Sequence, residues 1–165
     1  AGPNSALPHA RPGRRPMADG DLVVCDFGAI VDGYRSDMTR SLRIGGRGSG
    51  RAADMLGAVL DAQLAGLAVV GDGVPIAEVD AACRSSLEAV GLGGAFSHGT
   101  GHGVGLDIHE GPAVSSTSTG TLRAGQVVTV EPGAYLGGFG GVRWEDTVLV
   151  TAEGHRALTR SPKDP

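Results

Sequence analysis

Residues 26–40 read DFGAIVDGYRSDMTR, with Asp32-Gly33 between two runs rich in β-branched and aromatic residues. An Asp-Gly pair in this setting is a strong signal for a two-residue hairpin turn, because both turn positions need a positive φ. The pattern therefore predicts strands over 21–31 and 34–44. In the register that this turn imposes, Val31 faces Tyr34.

The same register brings two aspartates together. Asp26 falls opposite Thr39, and Asp37 falls opposite Gly28. Side chains alternate along a strand, so Asp26 and Asp37 are diagonal neighbours on one face, roughly 7–8 Å apart at the backbone. Two carboxylates placed this way repel each other unless a cation lies between them.

A second strand pair repeats this arrangement of acids. Strands over 126–131 and 142–151, joined by a loop centred on Gly138, place Glu131 directly opposite Glu145. Like charges that face each other destabilise a sheet. A solvated strand face explains any one of these acids taken singly, but two such pairs together indicate a metal site.

Two amphipathic helices separate the strand pairs. Apolar residues at helical spacing predict one helix over 51–70 and another over 75–90. Antiparallel strands with two helices covering one face give an α+β fold. Gln63 is expected off the first apolar stripe. The two stripes comprise Met55, Leu56, Val59, Leu60, Leu64 and Leu67, and Ile76, Val79, Cys83, Leu87 and Val90.

Three histidines lie in the glycine-rich segment 98–109, HGTGHGVGLDIH. The alternating glycines oppose a helical zinc signature, and their spacing does not complete G-x-G-x-x-G. In an extended chain His98 and His102 share a face. A backbone kept bare by glycine indicates a cleft that a ligand approaches closely.

Four carboxylates and one imidazole form a hard, oxygen-dominated ligand set. Such a set favours Mn²⁺ or Co²⁺, followed by Fe²⁺ or Zn²⁺. Four negative charges require more than one divalent cation, so the residues predict a dinuclear centre with ions ~3.5–4 Å apart.

Composition narrows the setting and the partners. The net charge of −4, without a lysine or arginine cluster, predicts no nucleic-acid partner. Two cysteines, Cys25 and Cys83, make no disulfide framework, which predicts a reducing, cytoplasmic setting. No stretch is expected to be apolar enough to span a bilayer, so no membrane partner is expected. The chain opens without Met in a loop-like run, which predicts a piece of a longer protein.

Four segments together resemble the successive signatures of the pita-bread metallopeptidases, the family of methionine aminopeptidase, aminopeptidase P, prolidase and creatinase. The resemblance runs from about residue 2 to residue 162. It implies a pita-bread catalytic domain over 1–165 that lacks the family's N-terminal helices and first strand. It also implies that the separate N-terminal creatinase-like domain is absent and that the full-length parent is a homodimer. The segments are DFGAIVDGYRSDMTR (26–40), HGTGHGVGLDIHEGP (98–112), VVTVEPGAYL (127–136) and GGVRWEDT (140–147).

The resemblance also implies residue roles. Glu131 resembles the ligand that also shuttles the proton of the attacking water. The implied catalytic residues are Glu131, His109, His98 and His9. The implied substrate-binding residues are His9, His98, His109, Arg143 and Tyr135. The implied metal ligands are Asp26, Asp37, His102, Glu131 and Glu145.

Within the family, the segment 143–146 and His98, four residues before the ligand histidine, favour the Xaa-Pro branch and a peptide substrate with proline in second position. Trp144 departs from the smaller aliphatic residue expected there, and alternation places it on the face away from Glu145. The alternatives are a methionine aminopeptidase-like enzyme, a small-amide hydrolase on the same site, a non-catalytic binding fragment, and a structural cation-binding domain.

Overall fold

The computed structural model describes residues 1–46 and 48–163. The chain opens with a 3₁₀ helix, Gly2–Ala6, and has an α+β fold, as expected. The first strands are β1 Leu22–Phe27, β2 Ile30–Val31, β3 Tyr34–Arg35 and β4 Met38–Arg43. The helices are α1 Arg51–Val69 and α2 Ile76–Ala89, followed by a 3₁₀ turn, Gly93–Ala95. The remaining strands are β5 Gly101–Gly103, β6 Glu110–Val114, β7 Val127–Val130, β8 Gly133–Leu136, β9 Gly140–Arg143, β10 Asp146–Thr151 and β11 Gly154–Ala157.

The first hairpin has the predicted turn and register. Asp32 and Gly33 both have positive φ, and Val31 pairs with Tyr34. Asp26 pairs with Thr39. The ladder is interrupted in both arms of the hairpin, however, at residues 28–29 and 36–37. As a result, β1–β4 and β2–β3 are separate two-stranded pairs.

The break in this hairpin has a steric cause. A Cβ on Gly28 would lie 1.9 Å from the Ser36 carbonyl oxygen, so the two chains approach here more closely than any side chain allows. Asp37 lies just beyond this contact, between β3 and β4. The metal-ligand candidate thus occupies a break in the ladder, where the sequence predicted an unbroken strand.

The second strand pair is broken in the same way. Val130 pairs with Asp146 and Gly133 pairs with Arg143, which is the register that the predicted Glu131–Glu145 pairing requires. The two glutamates themselves lie between the paired segments. Pro132 has no backbone N–H to donate to a ladder, which explains why regular pairing stops beside Glu131.

The larger sheet has five antiparallel strands in the order β11-β10-β7-β5-β6. Helix α1 packs against α2 and against strands β4, β7, β8 and β9. Helix α2 contacts β6. Trp144 is 1% exposed, and its indole N–H donates to the Leu56 carbonyl of α1 at 3.1 Å. The expectation that Trp144 points away from Glu145 is therefore confirmed.

Three details of the helices differ from the predicted stripes. Leu64 and Val90 are 48% and 58% exposed, so both were wrongly assigned to the core. Gln63 is completely buried, although its side chain was expected off the stripe. Its amide donates to Asp146 Oδ2 at 3.0 Å, and this partner on a distant strand is what admits a polar residue to the core.

Helix α1 also corrects the expectation about bilayer-spanning length. It is the helix among the described residues that is long and apolar enough, by length and composition, to cross a membrane. A helix in a protein core meets the same criteria. Here Met55, Leu56 and Val59 of α1 are buried in the core shared with α2 and the strands.

Candidate active site

The predicted ligand residues converge on one cleft. Asp37, His102 and Glu145 each present a ligand atom within 4.8 Å of the others. Glu131 adjoins them, with Oε1 at 3.1 Å from His102 Nε2. Residues from three separate parts of the chain meet here, so the site exists only in the folded protein.

Glu145 is held at the bottom of the cleft by β4. Its backbone N–H donates to the Thr39 carbonyl at 3.1 Å, and its Oε2 accepts from the Thr39 hydroxyl at 2.7 Å. Among residues 1–46 and 48–163, Glu145 Oε1 is the buried side-chain polar atom that lacks a hydrogen-bond partner. Burial, with the charges of Glu131 and Asp37, raises the pKa of Glu145 to about 9.

His98 and His102 each place the ring nitrogen Nδ1 against the backbone carbonyl of the next residue. His98 Nδ1 lies 2.7 Å from the Gly99 carbonyl, and His102 Nδ1 lies 3.0 Å from the Gly103 carbonyl. A carbonyl only accepts, so each Nδ1 carries a proton, and in the neutral form of each ring Nε2 is the nitrogen with the free lone pair. For His102 that nitrogen faces Glu131 and, at 3.7 Å, Asp37.

Thr129 joins this histidine to Glu131. Its hydroxyl accepts from the His102 backbone N–H at 3.0 Å and donates to Glu131 Oε1 at 2.9 Å. Burial raises the pKa of Glu131, but hydrogen bonds to His102 and Thr129 and the His102 charge outweigh it, so the pKa is lowered overall. The carboxylate form of Glu131 is therefore the stable one.

His102 and Asp37 shift in ways that follow from this crowding. Burial lowers the pKa of His102, yet hydrogen bonds to Glu131 and Gly103, with the nearby acidic charges, raise it overall. Burial and the charges of Asp26 and Glu131 raise the pKa of Asp37. Without a cation the cluster thus retains protons, which is the expected behaviour of closely packed carboxylates.

Asp26, the fifth predicted ligand, lies at the more open side with its side chain 45% exposed. Its Oδ2 accepts from Arg143 Nη2. Arg143 is only 4% exposed and also donates to the Thr39 hydroxyl and the Tyr135 hydroxyl. Tyr135 in turn contacts His98 Nε2 at 2.9 Å. Because that nitrogen accepts, the hydrogen bonds run in one direction from Arg143 to Tyr135 to His98.

The remaining histidines line the open part of the cleft. His9 and His109 are exposed and lie in the walls of two cavities, of about 470 and 340 Å³. The first cavity also contains Asp26 and Asp37, and the second contains His98 together with ligand residues. The His109 ring stands edge-on to the His102 ring, with centroids 4.3 Å apart.

Several residues that support the site were missed by the sequence reasoning. Thr39 lies two positions from the ligand candidate Asp37, and Thr129 lies two positions from Glu131. Side chains two positions apart on a strand point to the same face, so alternation gave a usable signal for both threonines. Other supporting residues gave no local signal. They are Arg40, Asp80, Arg84, Thr100 and Asp146.

The residues fit divalent ions. A buried carboxylate oxygen without a donor, like Glu145 Oε1, is costly unless a proton or a cation satisfies it. The donors are carboxylate oxygens and one imidazole nitrogen, the set that suits hard divalent metals. A side chain at residue 101 would strike the Thr129 carbonyl oxygen at 2.1 Å, so glycine is what allows His102 to reach the cluster.

The fold and this cluster define a pita-bread metallopeptidase domain. The chain belongs to metallopeptidase family M24, whose model matches residues 1–152. It is 43% identical over 164 residues to the uncharacterised peptidase YqhT of Bacillus subtilis, covering 99% of this chain and 46% of that protein.

Two solved structures are similar to this chain over nearly its whole length. The prolidase from Pyrococcus furiosus superposes with a TM-score of 0.94 at 40% identity, over 98% of this chain and 48% of that one. The Xaa-Pro dipeptidase from Bacillus anthracis superposes with a TM-score of 0.94 at 44% identity, over 98% of this chain and 45% of that one. The chain spans about half the length of the relatives it matches.

Proposed function

We propose that this chain carries the metal site of an exopeptidase that hydrolyses the amino-terminal bond of Xaa-Pro peptides. The observation that supports this most directly is the cluster of Asp37, His102 and Glu145 around a buried, unpartnered carboxylate oxygen. Membership of family M24 and similarity to a prolidase and an Xaa-Pro dipeptidase support the reaction class and the substrate.

Two divalent ions fit the charge of the four carboxylates, with Mn²⁺ or Co²⁺ preferred over Fe²⁺ or Zn²⁺ for oxygen-rich ligands. When bound, such ions lower the pKa of water and polarise a carbonyl group. The residues that would hold them are Asp26, Asp37, His102, Glu131 and Glu145.

Glu131 is the proposed general base. Its lowered pKa keeps it ionised at neutral pH, so it can take a proton from the attacking water and pass it to the leaving nitrogen, which is the proline nitrogen in an Xaa-Pro substrate. The Thr129 hydroxyl holds Oε1 during this exchange. Arg143 Nε lies 3.9 Å from Oε2 and favours the anionic form by its charge.

The proposed substrate contacts lie in the open cleft. His109 faces the cluster, where it would donate to the developing oxyanion. His98 and His9 line the cavity beside Glu131 and would contact the residue after the scissile bond. Arg143 and Tyr135 lie beneath these groups and hold His98 and Asp26 in place.

Setting and assembly follow the same reasoning. Both cysteines are free, Cys25 half-buried and Cys83 buried, which suits a reducing, cytoplasmic compartment. We propose a homodimer for the longer protein and a peptide with proline in second position as its partner. Size-exclusion chromatography with light scattering measures the first, and a dipeptide panel measures the second.

The variant Glu131→Gln tests the proposal. Loss of the base should lower kcat for Xaa-Pro hydrolysis by about 10²–10⁴-fold. The exposed Glu153 supplies a matched control, because Glu153→Gln makes the same change outside the cleft. Hydrolysis of Xaa-Pro, Xaa-Ala and methionyl peptides and of small amides is measured with Mn²⁺ and with Co²⁺, beside the metal content.

The outcomes separate the alternatives. Cleavage confined to Xaa-Pro peptides supports the proposal, whereas cleavage of methionyl peptides or small amides redirects the site to those substrates. Two metals per chain without any cleavage would favour a binding role. Activity in Glu131→Gln equal to that of the parent contradicts the assignment of the base.

A further inference from the structure

The histidine segment 96–103 has little regular structure of its own. Only Gly101–Gly103 forms a strand, and the segment contains three glycines. Such a backbone holds its shape only where other elements bind it. Glu131 supplies one tie, since its N–H donates to the Thr100 carbonyl at 2.7 Å. Thr129 supplies another through the His102 N–H, and β5 pairs with β6 and β7. Further contacts come from helix α2.

Asp80 and Arg84 form an ion pair one turn apart on α2. The guanidinium donates through Nε and Nη2 to the two Asp80 oxygens, at 2.9 and 3.0 Å. Asp80 is completely buried and also accepts from the Thr100 hydroxyl at 2.9 Å. The carboxylate therefore holds the histidine segment at residue 100 as well as its own arginine.

Arg84 holds the same segment on the other side of His98. Its Nη1 donates to the Phe96 carbonyl and its Nη2 to the His98 carbonyl, both at 3.1 Å. The guanidinium also lies over the Phe96 ring, 4.3 Å from the centroid. That ring meets the His98 ring edge-on at 5.1 Å. Both the backbone and the ring of His98 are thus fixed from α2.

We infer that Arg84, oriented by Asp80, is a positioning residue that sets the orientation and tautomer of the His98 imidazole in the cleft. Arginine suits this task because its planar fork donates in several directions at once, which a lysine ammonium on a flexible stem does not reproduce. The kinetic consequence rests on the proposed function, whereas the structural consequence at His98 does not.

The variant Arg84→Lys keeps the charge beside Asp80 and removes the fork. Arg51→Lys is the matched control, because Arg51 also stacks on a phenylalanine, Phe139, at 4.6 Å. The chain has five histidines, so ¹⁵N NMR of the metal-free protein resolves their tautomers. We expect His98 to change from the Nδ1-protonated form to a mixture in Arg84→Lys, with His155 unchanged and with no change in Arg51→Lys.

A double-mutant cycle with His98→Ala tests the kinetic consequence. We expect Arg84→Lys to lower kcat/KM for an Xaa-Pro dipeptide by about 10–100-fold, since small displacements of positioning groups have effects of this size. In the His98→Ala background the same change should have little further effect. Metal content should stay at the parent value, because Thr39 of β4 holds Glu145 and Thr147 of β10 holds the Asp37 carbonyl, neither of which contacts Arg84.

Two results would overturn the inference: an unchanged His98 tautomer in Arg84→Lys, or an equal loss of kcat/KM with and without His98. If Arg84→Lys fails to fold, Phe96→Leu removes the ring between Arg84 and His98 and is expected to change the tautomer in the same way. A parent protein without Xaa-Pro activity would defeat the proposed function alone, and the NMR result would still decide the role of Arg84.

Discussion

Two buried aspartates support the cleft through different segments of the chain, and they differ in what they hold. Asp146 is 3% exposed and directly follows the ligand candidate Glu145. It pairs with Arg40 at 2.9 Å and with Lys163, and it accepts from the Gln63 amide. Asp80 is as deeply buried but pairs with one cation, Arg84, on its own helix.

The surroundings explain this difference. Arg40 donates to the Glu145 carbonyl, to the Thr39 carbonyl, and to the carbonyls of Ser161 and Pro162. The Asp146 cluster therefore joins β4, β10, α1 and the segment after β11 beneath the metal ligands. The Asp80 pair instead joins α2 to the histidine segment. We expect damage to the first to affect folding and metal binding, and damage to the second to affect the substrate side.

The largest effect is expected for Asp146→Ala. This change leaves Arg40 and Lys163 without their shared partner in a buried place, which costs about 3–5 kcal/mol of the free energy of unfolding. Urea denaturation followed by circular dichroism measures it as a lower midpoint at unchanged slope. Asp61→Ala on the exposed face of α1 is the control, within about 0.5 kcal/mol of the parent. Equal midpoints for the two variants would show that the cluster adds no stability.

An intermediate effect is expected for Thr39→Val, which removes the hydroxyl that donates to Glu145 Oε2. Removal of a group that orients a metal ligand typically lowers metal affinity by about 10–100-fold. Calorimetric titration with Mn²⁺ should show this loss. Thr119→Val, which removes an exposed hydroxyl outside the cleft, is the control. If Mn²⁺ affinity falls equally in both, Thr39 has no special role at Glu145.

The third effect concerns pH. The pKa of Glu145 is raised to about 9 in the folded, metal-free protein, against about 4.3 for an unfolded glutamate. Between these values the folded state binds a proton that the unfolded state has released, so the contribution of Glu145 to stability falls as pH rises. Melting temperatures of the metal-free protein from pH 5 to pH 9 should decline less steeply in Glu145→Gln than in the parent. Parallel declines would mean that Glu145 titrates normally.

Much of the cleft could be predicted because its signals are local. The Asp32-Gly33 turn fixed the register that pairs Asp26 with Thr39. The loop at Gly138 gave the correct register around Glu131 and Glu145. The ladder breaks beside these residues could not be predicted with the same rules. The break beside Asp37 depends on how closely Gly28 approaches Ser36 across the hairpin. For the break beside Glu131, Pro132 was a usable sign.

The supporting residues could not be predicted for a related reason. Gln63 and Asp146 are 83 positions apart in the chain, and Thr39 and Glu145 are 106 apart. No periodicity or spacing relates such positions. Gln63 was therefore expected off the apolar stripe of α1, and Leu64 beside it was expected in the core, whereas Gln63 is buried and Leu64 exposed.

The sequence by itself determined the hairpin turn, the two helices and the chemical types of the ligands, because turn conformation, periodicity and side-chain chemistry are properties of neighbouring residues. The tertiary structure alone decided which carboxylates meet, which one is buried without a partner, and which ion pairs lie behind the histidines and behind Glu145. These depend on contacts between distant segments, whose free energies arise only when the chain has folded around the cleft.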